Sequence, residues 1–166
     1  MNIALEEKDK ARLQFLARIV EKEARHLRIT DQRFFAHPFS LQRARQLEND
    51  TDQAERANAF VARFGRLQDS LGDKLIPLYL RGLGEKTGAA IDNLDKAERL
   101  GVIPSSDTWL TVRKLRNQMI HEYIEDPEIL VNALETGHHF VPVLLEVTQT
   151  LLDDMLTRGW LTPKKA

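Results

Sequence analysis

Between Arg113 and Tyr123 the chain reads Arg-Lys-Leu-Arg-Asn-Gln-Met-Ile-His-Glu-Tyr. Two arginines, a lysine, an amide, an imidazole and a phenol fall within about three helical turns. A guanidinium presents parallel N–H donors that match phosphate oxygens, and it steadies charge building on a phosphoryl group. Histidine takes up and releases protons near neutral pH, so it can serve a ribose 2′-OH or a leaving oxygen. Arg116, Asn117 and His121 are therefore candidate catalytic residues for metal-independent RNA cleavage, with Arg113 and Lys114 as candidate substrate-binding cations. No acidic pair or His/Asp ligand set stands nearby in the sequence, so neither metal nor cofactor is expected.

At about 100° per residue, Trp109, Ile120 and Tyr123 fall within roughly 40° of Arg116, while Arg113, Asn117 and His121 sweep round to about 140°. Val112, Leu115 and Met119 are expected to face the core. Asn117 and His121 are four apart and stack, and Arg116 and His121 flank a shared groove. One helix encloses a phosphate poorly, and a second copy across a two-fold axis would complete the enclosure. Dimerisation through this helix would also cover Trp109 and Ile120, which lie on the same face. His121 lies near the helix C-terminus, whose dipole, with Glu122 and Glu125, favours a charged imidazole.

Five helices are expected to position this set. Leu13, Leu16, Ile19 or Val20, Ala24 and Leu27 recur at three- and four-residue steps and predict a first helix over 4–28. A break follows over 30–40, marked by Pro38, in which Phe34, Phe35 and Phe39 are apolar enough to tuck against the bundle. The polar block from Leu41 to Asn58 reads as a solvated helix start, restarting at Asp52 with Glu55 as capping partner. Phe60, Phe64, Leu67, Leu71, Leu75 and Leu78 make a core helix to about Leu83. Pro77 should kink it or end its regular part, and Arg81-Gly82-Leu83-Gly84 should close it. A third helix spans 87–100. The fourth, capped by Ser106 or Asp107, runs over 108–125, and the fifth spans 127–158. The fold class is all-α, an antiparallel helical bundle of about five helices in one domain over 1–166.

The totals set limits. A chain of 166 residues can bury a single core, and 30% charged residues suit a charge-surfaced helical protein. Net charge is −1, so any nucleic-acid affinity has to come from a local basic patch. The absence of cysteine excludes disulfides, thiol catalysis and cysteine-bound metal, and it fits a cytoplasmic location. The first residues do not read as a signal peptide, and no apolar run suggests a membrane span. His138-His139 point about 100° apart and share one metal poorly, while His26 and His37 read as surface histidines. Arg63, Arg66 and Asp69 read as a solvated helix face, the alternative being that they line the same cleft as the motif.

Arg116-Asn117-Gln118-Met119-Ile120-His121-Glu122-Tyr123 resembles the R-x4-H-x-Y motif, with asparagine after the arginine, of the HEPN superfamily (higher eukaryotes and prokaryotes nucleotide-binding). Ala90 to Gly101 followed by Asp107-Thr108-Trp109-Leu110 is similar to the helix, turn and tryptophan that precede the motif there. Phe60 to Leu80 resembles an earlier core helix. The likeness covers about residues 54–156 and leaves 1–53 as an N-terminal extension. Within the superfamily the chain looks most like the small proteins encoded beside minimal nucleotidyltransferases, HepT-like toxins and nucleotidyltransferase substrate-binding subunits. The resemblance implies a homodimer whose motifs face one cleft. It implies endoribonuclease activity in which Arg116 binds the phosphate, His121 does acid–base work and Asn117 orients. It also implies a nucleotidyltransferase partner that adenylylates Tyr123. The expected function is thus the ribonuclease toxin of a toxin–antitoxin pair. The alternatives are a non-catalytic subunit presenting nucleotide or substrate to a nucleotidyltransferase, and a helical interaction protein whose cluster is structural.

Overall fold

The computed structural model describes residues 5–121 and 126–162, with the side chains of all of these except 120 and 121. Every regular element among them is helical: α1 (Glu7–Phe34), α2 (Leu41–Gln46), α3 (Thr51–Asp69), a π-helical segment (Ser70–Leu75), α4 (Ile76–Gly82), α5 (Ala90–Arg99), α6 (Ser106–His121) and α7 (Pro127–Thr157). The expected all-α bundle is what forms. Among the described residues no helix is long and apolar enough to cross a membrane.

α1 outlasts its expected end by six residues. Asp31 to Arg33 look like loop in the sequence, but tertiary partners hold the turn. Asp31 pairs with His138 Nδ1 at 2.7 Å, and Arg63 donates to the Thr30 hydroxyl and to the His26 carbonyl. Leu13, Val20 and Leu27 of α1 are fully buried in the same core as α3 and α7. Each buried aliphatic side chain of this kind contributes roughly 1.5–3 kcal/mol. The N-terminal stretch is therefore part of the bundle's interior, not an appendage on it. Phe34 and Phe39 do tuck in, and they begin a chain of aromatic contacts. Phe39–Phe34, Phe34–Phe60, Phe60–Phe64, Phe64–Phe140 and Phe140–Trp109 have centroids 5.2, 6.2, 5.8, 6.3 and 6.1 Å apart, spacings at which aromatic pairs attract.

The helix starts fall one or two residues before the expected caps. Asp50, not Asp52, caps α3 by accepting from Gln53 N at 3.1 Å. Ser105, not Ser106 or Asp107, caps α6 by accepting from Thr108 N at 3.1 Å. In each case a short oxygen side chain in front of the first turn satisfies an N–H that the helix leaves open. The polar block yields a separate short helix, α2, capped by Ser40. The core helix does not break at Pro77. The backbone loosens to π geometry over Ser70–Leu75, and Pro77 sits in the first turn of α4, where no N–H is missed. Gly84 then takes φ 82°, the left-handed stop expected of it.

Ion pairs and hydrogen bonds fix the order of the layers. Glu23 accepts from Ser70 at 3.1 Å and Thr30 meets Arg63, so α1 and α3 run antiparallel. Gly65 meets Arg116 and Gly72 meets Trp109, so α3 and α6 run antiparallel as well. The rod from α3 to α4 thus lies between α1 and α6.

Candidate functional site

α6 is held at its start by its neighbour α5. Ser106 Oγ donates to Asp95 at 2.6 Å, and Ser106 N donates to Glu98 Oε1 at 2.9 Å. Along its length α6 presses on glycines. A Cβ on Gly72 would lie 2.9 Å from Trp109 Nε1, one on Gly65 would lie 2.8 Å from Arg116 Cδ, and one on Gly137 of α7 would lie 2.7 Å from Met119 Cε. Gly65 and Gly72 are seven apart, as are Trp109 and Arg116. Two helical turns of one rod therefore receive two large side chains of the other.

This packing corrects the expected orientation of the motif helix. Trp109 is 1% exposed and belongs to the chain's own core, so it does not need a second copy to cover it. Val112 and Met119 face inward as expected, and Leu115 packs against the core while only partly buried. Arg116 lies on the same inward arc. Its side chain is 14% exposed, and Nη1 donates to Asp69 Oδ1 at 2.7 Å and to the Gly65 carbonyl at 3.1 Å. Nε and Nη2 make no bond among the described residues, so part of the fork remains open in a shielded position. Arg113, closer to solvent, forms a two-pronged pair with Asp73 at 3.0 and 3.1 Å.

The carboxylates that sequence reading assigned to a solvated face, or passed over, are thus the partners of the motif. Asp69 and Asp73 stand one turn apart on the rod, 47 and 40 residues before the arginines they bind. Lys114 and Asn117 are exposed on the outer side of α6. Arg113 and Arg116 are therefore brought together against the rod, Arg116 on α3 and Arg113 on the π segment, and Lys114 and Asn117 point away from that seam. His121 is the last residue of α6; its side chain and the whole of Tyr123 lie outside the described residues.

Two further polar groups lie along the rod. Gln68 Nε2 donates to the Trp109 carbonyl at 3.1 Å inside the core, and its Oε1 is buried with no partner among the described residues. Burial raises the Glu23 carboxyl above its ordinary range, although Ser70, Lys74 and Arg66 pull it down. His138, which the sequence pairs with His139, instead pairs with Asp31 and stacks on Phe35 at 4.1 Å between centroids. Among the described residues no group of three or more His, Asp or Glu side chains is placed to hold a metal ion.

The arrangement can hold an anion at the α3–α6 seam, with the open part of Arg116 as donor and Asp69 fixing the guanidinium plane. A phosphate entering there has to share Arg116 with Asp69 and draw Arg113 off Asp73. Set against known proteins, the chain matches no family model, no curated protein and no solved structure.

Proposed function

We propose that this protein is a HEPN-type, metal-independent endoribonuclease, the toxin of a pair whose other member is a minimal nucleotidyltransferase. The observation that carries the reading is Arg116: a cation shielded from water and fixed through one nitrogen, whose other donors are unclaimed among the described residues. A donor so fixed needs no reorganisation when charge develops on a phosphoryl oxygen, and this is the condition under which such a group accelerates a reaction. His121, five residues further on at the end of α6, supplies the proton transfer, and Asn117 orients the substrate from the outer face of α6. In the test, purified protein cuts single-stranded RNA in EDTA and leaves a 2′,3′-cyclic phosphate, the product of attack by the neighbouring 2′-OH. Intact RNA after prolonged incubation would sink the proposal.

A second reading is a non-catalytic subunit that presents nucleotide or substrate to the nucleotidyltransferase. The carboxylates on both motif arginines favour it, because Asp69 and Asp73 cancel much of the positive charge that a nuclease cleft needs. Under either reading the protein works as a homodimer with the outer faces of α6 opposed. Those faces carry Lys114, Asn117 and Gln118, all exposed, so the contact is polar. Light scattering at micromolar concentration is expected to give twice the chain mass, and a monomer would remove the paired cleft.

Tyr123, which lies outside the described residues, is the proposed site of AMP transfer by the partner. The added phosphate and base would put negative charge and bulk beside Arg116 and block RNA. Incubation with the cognate nucleotidyltransferase and ATP is expected to raise the mass of wild type by one or more AMP units and to leave Tyr123→Phe unchanged. Equal labelling of both proteins would move the modification elsewhere.

A further inference from the structure

We propose that the solvent face of α1 is a binding surface for single-stranded RNA, which deepens the ribonuclease reading but rests on different residues. Taking Phe15 as zero, the arc from about +60° to −80° carries Lys8, Arg12, Arg18, Lys22, Arg25 and Arg33. All six are exposed, and none is joined to a carboxylate among the described residues. Between Lys8 and Arg33 no aspartate or glutamate falls on this arc. Glu21 and Glu23 lie beyond its two edges, and Asp31 points inward to His138.

The stripe stands out because the chain as a whole carries a net charge of only −1. The opposite sign gathers elsewhere, since α7 holds Glu128, Glu135, Glu146, Asp153 and Asp154 and no lysine or arginine. The cations on α1 are spaced roughly 5 to 12 Å apart along a line of roughly 38 Å at the helical rise. A row of one sign and that length is complementary to a backbone that repeats a phosphate at every unit.

Two large apolar side chains interrupt the row. Phe15 is 50% exposed between Arg12 and Arg18, and Ile29 is 40% exposed between Arg25 and Arg33. A wet phenyl ring flanked by guanidinia is a platform on which an unpaired base stacks. A membrane surface fits less well, because the apolar face such a helix would insert is already buried against α3 and α7. A duplex offers Phe15 no unstacked base. The stripe also leads to the motif helix. Glu23 at its edge accepts from Ser70 at 3.1 Å, and the preceding residue, Asp69, holds Arg116.

The test uses the full chain carrying His121→Ala, so that RNA stays whole whether or not the protein is a nuclease. Affinity for a labelled uridine oligomer of about twenty nucleotides is measured across a salt series. Adding Arg18→Ala, Lys22→Ala and Arg25→Ala is expected to weaken binding at least about tenfold and to flatten the slope of log affinity against log salt by about two. Phe15→Ala is expected to weaken single-strand binding about five- to a hundredfold and to spare duplex. A control triple of Arg45→Ala, Arg56→Ala and Arg99→Ala should change neither slope nor affinity. The proposal is overturned if the two triples behave alike, if duplex binds as well as single strand, or if phosphatidylserine vesicles capture the protein more tightly than RNA does. None of these outcomes bears on cleavage, which is read separately from the cyclic-phosphate product.

Discussion

His121→Ala is expected to slow RNA cleavage by about a hundredfold to ten-thousandfold, the range in which a positioned acid–base group contributes. Attack by a 2′-OH on the adjacent phosphate needs a proton removed from one oxygen and another delivered to the leaving oxygen. Within the motif helix, His121 is the one side chain suited to both at neutral pH. Arg116→Ala should lose a comparable amount, since one donor aimed at developing charge in a shielded site is worth roughly 3 kcal/mol. The two variants are expected to differ in their melting curves. Removing Arg116 takes a partner from the Gly65 carbonyl and from Asp69, whose side chain is 41% exposed and regains water, so the cost is about 1 kcal/mol. Rates are therefore compared at equal folded fraction, with product ends identified by their resistance to phosphatase. A His121→Ala protein that cuts as fast as wild type would leave only the binding-subunit reading.

The second large effect is on stability. Trp109→Ala is expected to cost about 3–5 kcal/mol, because a fully buried indole at the meeting of α6, the π segment and α7 leaves a cavity that rigid neighbours cannot fill. For a chain of this size that lowers the melting temperature by on the order of 10 °C. Trp109→Phe should lose much less. Gly72→Ala should also destabilise, by about 1–3 kcal/mol, since its new methyl would meet the flat indole and not a flexible side-chain tip. If Trp109→Ala melts with wild type and runs as a monomer while wild type is dimeric, the tryptophan lies at a subunit interface after all.

The helices were legible because leucine, valine and phenylalanine recur at three- and four-residue steps, and that period is read from one chain alone. What was not legible depends on partners far away in sequence. Asp31 and Arg33 look like loop residues until His138, 107 residues on, is placed against the first of them. The inward turn of Trp109 and Arg116 could not be drawn from a wheel of α6, because the width of a buried arc depends on what packs against it. Here that surface is made of Gly65 and Gly72, whose heptad spacing inside an apolar helix was the available signal. Asp69 looked solvated, and Asp73 was passed over, for the same reason. The basic face of α1 needed only its own periodicity, but it came into view once the buried side of α1 had been settled by α3 and α7.

The π-helical segment Ser70–Leu75 has a consequence for register. A π turn takes about one residue more than an α turn over the same span, so each position beyond it is rotated by about 100° relative to an unbroken α-helix. Leu78, Tyr79 and Leu80 reach the interior, and Tyr79 Oη lies 2.5 Å from Asp154, with that extra residue in place. Deleting one residue from the segment would therefore act as a phase error: the half with Gly65 and Asp69 would keep its seat against α6, and the half with Tyr79 would turn its apolar side toward water. Adding or removing a residue here should be far more damaging than substituting one, and Lys74, exposed within the segment, is the position at which the two kinds of change are best compared.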